Sequence, residues 1–130
     1  MSAELTYLTY TILLTGILWV PYILNQIAVR GLLPAMGYQD NPAPLAGWAQ
    51  RLKSAHYNAV ENLVLFAPLV LIIELRGIGS STTAIACLVF FLARIVHALC
   101  YTFKVPYLRT LAFAVGFFAV LALLVHVLSV

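Results

Sequence analysis

Asn58, Glu61, Arg94, His97, Tyr101 and Arg109 hold most of this chain's capacity for chemistry. Arg51, Ser54, Asn58 and Glu61 recur at intervals of three and four residues, as do Arg94, His97 and Tyr101. On helices, such intervals align side chains along one face. Cations and hydrogen-bonding groups exceed carboxylates in this set, which suits a polar anion held by guanidinium, amide and phenol groups. The surrounding sequence is almost wholly apolar, so that anion would be brought beside a lipophilic molecule.

The elements that position these residues must lie in lipid. Of the 130 residues, 64% are hydrophobic and 8% charged, and the mean hydropathy is +1.03; a soluble domain needs far more polar surface. Crossing a hydrocarbon core of roughly 30 Å takes about 20 mostly apolar residues. Spans at about 5–29, 54–75, 83–103 and 109–130 use up most of the chain, predicting an all-α, integral membrane four-helix bundle with a single domain over residues 1–130. The net charge of +3 comes from scattered basic residues with no continuous basic face, so a nucleic-acid partner is excluded.

Pro21 is expected to kink the first span, and Arg30 closes it. The glycine- and proline-rich stretch from Arg30 to Arg51 reads as the one long loop. Glu4 precedes the first apolar run where a secretory leader would carry basic residues, so the run is expected to persist in the mature protein. Basic residues at 30, 51, 53, 104 and 109 flank the first and third connections, against Arg76 alone on the other side. Both termini are therefore expected on the non-cytoplasmic face, and a bacterial inner membrane is the expected location. Cys87 and Cys100 lie thirteen positions apart on one expected helix and cannot bridge within it. They read as small buried thiols. No metal site is expected.

Glu61 and Arg94 fall within spans, at a combined insertion cost of about 6 kcal/mol. Because each span runs antiparallel to the one before it, the end of the first span, the start of the second, the end of the third and the start of the fourth share one leaflet. At 1.5 Å per residue, Glu61 lies about 10 Å and Arg94 about 13 Å from its helix end. A bland alternative stands beside the ligand site: an interhelical Glu61–Arg94 ion pair that only fixes packing, with His97 and Asn58 as hydrogen-bonding glue.

The stretches AHYNAVENLVLF (55–66) and ARIVHALCY (93–101), followed by Arg109, resemble the MAPEG family, membrane proteins of eicosanoid and glutathione metabolism. The likeness spans nearly the whole chain. It implies a homotrimer of four-helix subunits with glutathione bound between neighbours. By position it implies that Asn58 and Glu61 hold the polar body of glutathione, that Arg94, His97 and Tyr101 line or brace the cavity, and that Arg30 is a carboxylate partner. Arg109 resembles the arginine beside the glutathione sulfur and is the expected catalytic residue. Thr110 either adds a hydroxyl to the sulfur or is an ordinary helix N-cap.

A thiol of pKa about 8.5 is only a few per cent thiolate at neutral pH, and the thiolate is the nucleophile. Lowering that pKa by about two units takes about 2.7 kcal/mol. A guanidinium at about 4 Å offers roughly 4 kcal/mol at an effective dielectric of 20, before desolvation. The implied activity is glutathione transfer to a lipophilic electrophile or lipid partner arriving from the membrane, with peroxidase chemistry as a companion. Tyr57 and Phe113 depart from the prostaglandin-E synthase pattern, where arginine and tyrosine stand, so that isomerase chemistry is not carried over. His56 near the membrane surface reads as capping or packing more than ligand contact, and His126 in the opposite leaflet as structural. Two rivals remain: a non-catalytic lipid-binding or scaffold member of the same fold, and a small proton-coupled exporter. The exporter reading is weakened by a first span without an internal ionisable residue.

Overall fold

The computed structural model describes all residues from 1 to 130. Ser2 opens the first helix, α1 (Ala3–Ile17), by accepting a hydrogen bond from the Leu5 amide. A break at Leu18 separates α1 from α2 (Trp19–Arg30), because Pro21 has no N–H to return to the carbonyl four residues earlier and its ring crowds that carbonyl. The two pieces together make one apolar segment of 28 residues. Gly31, at φ +84°, ends α2 in a conformation that glycine adopts most readily. The single turn α3 (Leu32–Met36) follows.

The next helix, α4 (Gly47–Arg76), begins at Gly47 rather than near Ser54. Between those positions WAQRLKS contains no helix breaker, so hydrogen bonding continues beyond the purely apolar stretch. Pro68 lies inside α4 without ending it; a lost intrahelical bond is tolerated when neighbouring helices support the segment. Gly77, left-handed at φ +63°, stops the helix, and the Ile78 amide closes back on the Ile73 carbonyl at 3.1 Å. Ser80 and Thr83 then form a reciprocal capping box at the start of α5 (Ser81–Thr102). The connection to α6 (Leu108–Ser129) turns through Lys104 and Tyr107, both at positive φ.

Four segments are long and apolar enough to cross a membrane, and no strand is present. The helix α5 packs against α6, α1 and α4. Phe66 and Phe90 stack at 4.0 Å in a core with Leu8, Val70, Ile73 and Leu123. Large apolar side chains such as Leu13, Leu75 and Phe118 point outward, as a lipid-facing surface requires. The bond from Arg51, near the start of α4, to Thr102, at the end of α5, makes these consecutive helices antiparallel, and the bond from Arg76, at the end of α4, to Val127, near the end of α6, makes α4 and α6 parallel. One end of the bundle consequently gathers the basic residues and the other holds both termini.

At the basic end the first loop is tied down by polar side chains of α2 and α4. Asn25 accepts from the Ala46 amide at 3.0 Å, Arg30 Nε donates to the Ala43 carbonyl at 2.8 Å, and Gln50 donates to the Leu45 carbonyl at 2.7 Å. Leu45, Ala49, Leu52 and Tyr22 bury a small second core beneath that loop.

Candidate functional site

Arg94 and His97 lie one turn apart on α5, with only 2% and 3% of their surfaces exposed. The Arg94 Nη2 group donates to Asn58 Oδ1 on α4 at 2.5 Å and to His97 Nδ1 at 3.2 Å. Arginine can only donate, so His97 Nδ1 accepts and the imidazole proton resides on Nε2, free to donate from the other side of the ring. Asn62 braces Asn58 by donating to its backbone carbonyl at 2.8 Å and to its Oδ1 at 3.3 Å. Arg94 Nε and Nη1 are buried with no partner in the chain.

Glu61 is exposed on α4 and takes none of Arg94's hydrogen bonds. The interhelical Glu61–Arg94 ion pair allowed by the sequence is therefore not made within the chain: Asn58, three residues earlier on α4, meets Arg94 instead. A buried guanidinium without a carboxylate is costly, because the desolvation of its charge goes uncompensated. Close approach of α6 helps to enclose its stem. A Cβ added at Gly116 would sit 3.6 Å from Ala93 Cβ and 3.9 Å from Arg94 Cδ.

On its outward side His97 borders a cavity of about 250 Å³ shared with Tyr101, Arg109, Thr110 and Phe113. Arg109 Cζ lies 4.6 Å from the centroid of the Tyr101 ring, a cation–π arrangement that holds the guanidinium over the phenol. Tyr101 in turn meets His97 edge-on at 5.7 Å. Thr110 stands beside Arg109 in the first turn of α6, whose N-cap position belongs to Tyr107. Thr110 is thus not the cap, and it lines the cavity. Arg109 also borders a second cavity, of about 170 Å³, with Arg51 and Lys104.

The sequence-predicted residues thus divide into three sets. Asn58, Arg94 and His97 form one hydrogen-bond network; His97, Tyr101, Arg109 and Thr110 surround one cavity. Arg30, at the end of α2, is bonded to the first loop and Glu61 stands on the exposed face of α4, both apart from that cavity within the chain. His56 accepts or donates at 2.8 Å to the Tyr22 hydroxyl, and His126 contacts the Ile78 carbonyl at 2.8 Å.

Sequence reasoning missed a polar set at the terminal end. Glu4, 5% exposed, accepts from Thr83 Oγ1 at 2.5 Å, and Ser2 donates to the Glu74 carboxylate. Ser2, Glu4 and Glu74 border a cavity of about 390 Å³. Its partners lie more than seventy positions apart in the chain, and the only local signal was the Ser80–Thr83 capping box.

A model of the MAPEG family matches residues 6–129. No curated protein and no solved structure gives a significant match.

Proposed function

The chain belongs to the MAPEG family, and from that premise we propose that it is a membrane-embedded glutathione transferase, joining glutathione to a lipophilic electrophile that enters from the bilayer. The observation that carries this reading is the placement of Arg109 on the same cavity as His97, Tyr101 and Thr110, with a second guanidinium, Arg94, buried behind it and lacking a carboxylate. Two cations facing no anion of the chain suit a ligand that is itself anionic.

Each residue has a distinct task. Arg109 stabilises the glutathione thiolate, and the Thr110 hydroxyl donates to the sulfur. The thiol proton leaves to water, and the sulfur lone pair forms the new carbon–sulfur bond as the electrophile's leaving group or ring oxygen departs with its electrons. His97 donates through Nε2 to the tripeptide, and Arg94 fixes the His97 ring and the Asn58 amide from behind. Glu61, exposed on α4, receives the ammonium of glutathione. A homotrimer places Arg30 of a neighbouring copy against a glutathione carboxylate, which would bring together residues that one chain keeps apart.

Titration of the detergent-purified protein with glutathione, followed by thiolate absorbance, tests the proposal. The parent protein should raise the thiolate fraction and Arg109→Ala should not; failure of the parent protein to bind glutathione would refute it.

A further inference from the structure

The cavity that Arg109 shares with Arg51 and Lys104 has a charge pattern of its own. Three cations border a space of about 170 Å³, and none of the chain's four carboxylates, Glu4, Asp40, Glu61 and Glu74, reaches it. Arg51 is held there from behind: its Nε donates to the Thr102 carbonyl at 2.9 Å, which fixes the guanidinium between α4 and the end of α5. Lys104 is held at φ 59°, an uncommon conformation for a residue with a side chain. Tyr101 also lines the cavity.

An apolar groove lies along the same row of α5. Leu92, Val96 and Cys100 follow one another at intervals of four, which stacks them on one face of α5, and Lys104 follows in the turn just beyond the helix. The first two line a groove of about 300 Å³ between α5 and α6, with Val89, Leu108, Leu111 and Val115, and the last two line the cationic cavity. Leu108 in the groove precedes Arg109 in the cavity. An apolar trough in a lipid-facing bundle thus runs toward three unbalanced positive charges at the end of the helix.

We propose that trough and cavity form one binding site for an anionic phospholipid, with the headgroup phosphate among Arg51, Lys104 and Arg109 and an acyl chain between α5 and α6. Charge selects the headgroup: a zwitterionic choline headgroup brings its own cation to a place that already holds three, whereas phosphatidylglycerol brings only the phosphate. Arg109 is shared with the glutathione reading, but Arg51 and Lys104 have no task in it, so substitutions at those two residues test the lipid site separately.

The test uses the full-length protein in nanodiscs containing equal amounts of phosphatidylglycerol and phosphatidylcholine, with analysis of the lipid that remains after gentle solubilisation. The parent protein should retain phosphatidylglycerol with about tenfold enrichment, and the double variant Arg51→Gln/Lys104→Gln should retain it with about twofold or less. If that variant loses its circular-dichroism melt, Lys104→Gln alone, an exposed change, should still cut the enrichment about threefold. Equal retention of the two lipids by the parent, or unchanged enrichment in a folded variant, overturns the proposal. Glycerol 3-phosphate supplies the competing arm. It should leave the retained lipid in place; displacement by this headgroup analogue would show that a free phosphate suffices, and would overturn the acyl-chain part of the site.

Discussion

The two ends of the bundle treat their polar and charged groups in opposite ways. At the terminal end, Glu4 is bonded by Thr83, Glu74 by Ser2, His126 by the Ile78 carbonyl, and Arg76 reaches the carbonyls of Val127 and Val130. Each of these four charged or titratable side chains has a partner. At the basic end, Arg94 leaves two nitrogens unpaired, Arg109 has an aromatic ring beneath it instead of an acid, and Glu61 stands on an open face. Partnered polar groups hold helices together; unpartnered ones are retained at a cost in stability, and in a membrane that cost points to a ligand.

Substitutions can break or sharpen this contrast. Arg109→Ala should have the largest effect: loss of about 2.7 kcal/mol of thiolate stabilisation lowers kcat/KM for conjugation about 100-fold, read by steady-state kinetics, with no change in the unfolding midpoint. Thr83→Val tests the terminal end, where loss of a buried hydrogen bond to a carboxylate should cost about 2 kcal/mol of stability. Its signature is a lower thermal midpoint with glutathione affinity intact, and a drop in affinity would show that the ends are not independent. Arg94→Met should leave ligand-free stability equal to or about 1 kcal/mol above that of the parent, because a charge without a counter-ion is replaced by an apolar stem of similar length. Glutathione affinity should meanwhile fall about tenfold or more, measured by calorimetry; a large loss of stability would instead make Arg94 a packing residue like those at the other end. Smallest is Gly116→Ala. The new methyl meets only ordinary contacts, so the helix should gain roughly 0.5 kcal/mol, and a melting curve checks it.

Hydrophobic run length made four apolar helices legible, and α4 ends at Arg76, next to the expected end of the second span at about 75. The start of α4 was less visible, since the run WAQRLKS is amphipathic and composition alone cannot distinguish a helix overhanging the membrane from a loop. Helical spacing placed Asn58 and Glu61 on one face and Arg94 and His97 on another. What spacing could not give is which side chain of one face meets which of the other: a small rotation of α4 decides between Asn58 and Glu61 as the partner of Arg94. Asn25 and Gln26 lie within the first apolar run, yet they bond the Ala46 amide and, at 3.4 Å, the Ala35 carbonyl of the connection that follows it. The link from Glu4 to Thr83 was invisible for a different reason. It depends on the packing of α1 against α5, and no local pattern encodes a contact between helices so far apart in the chain.

Arg109 borders two cavities, and a single guanidinium has one charge to share between them. Occupants of the two spaces are therefore thermodynamically linked. If a phosphate in the outer space draws the side chain away from the inner one, it weakens glutathione by some factor, and glutathione must weaken the phosphate by the same factor. The surrounding leaflet would then set the acidity of a buried sulfur through the swing of one side chain.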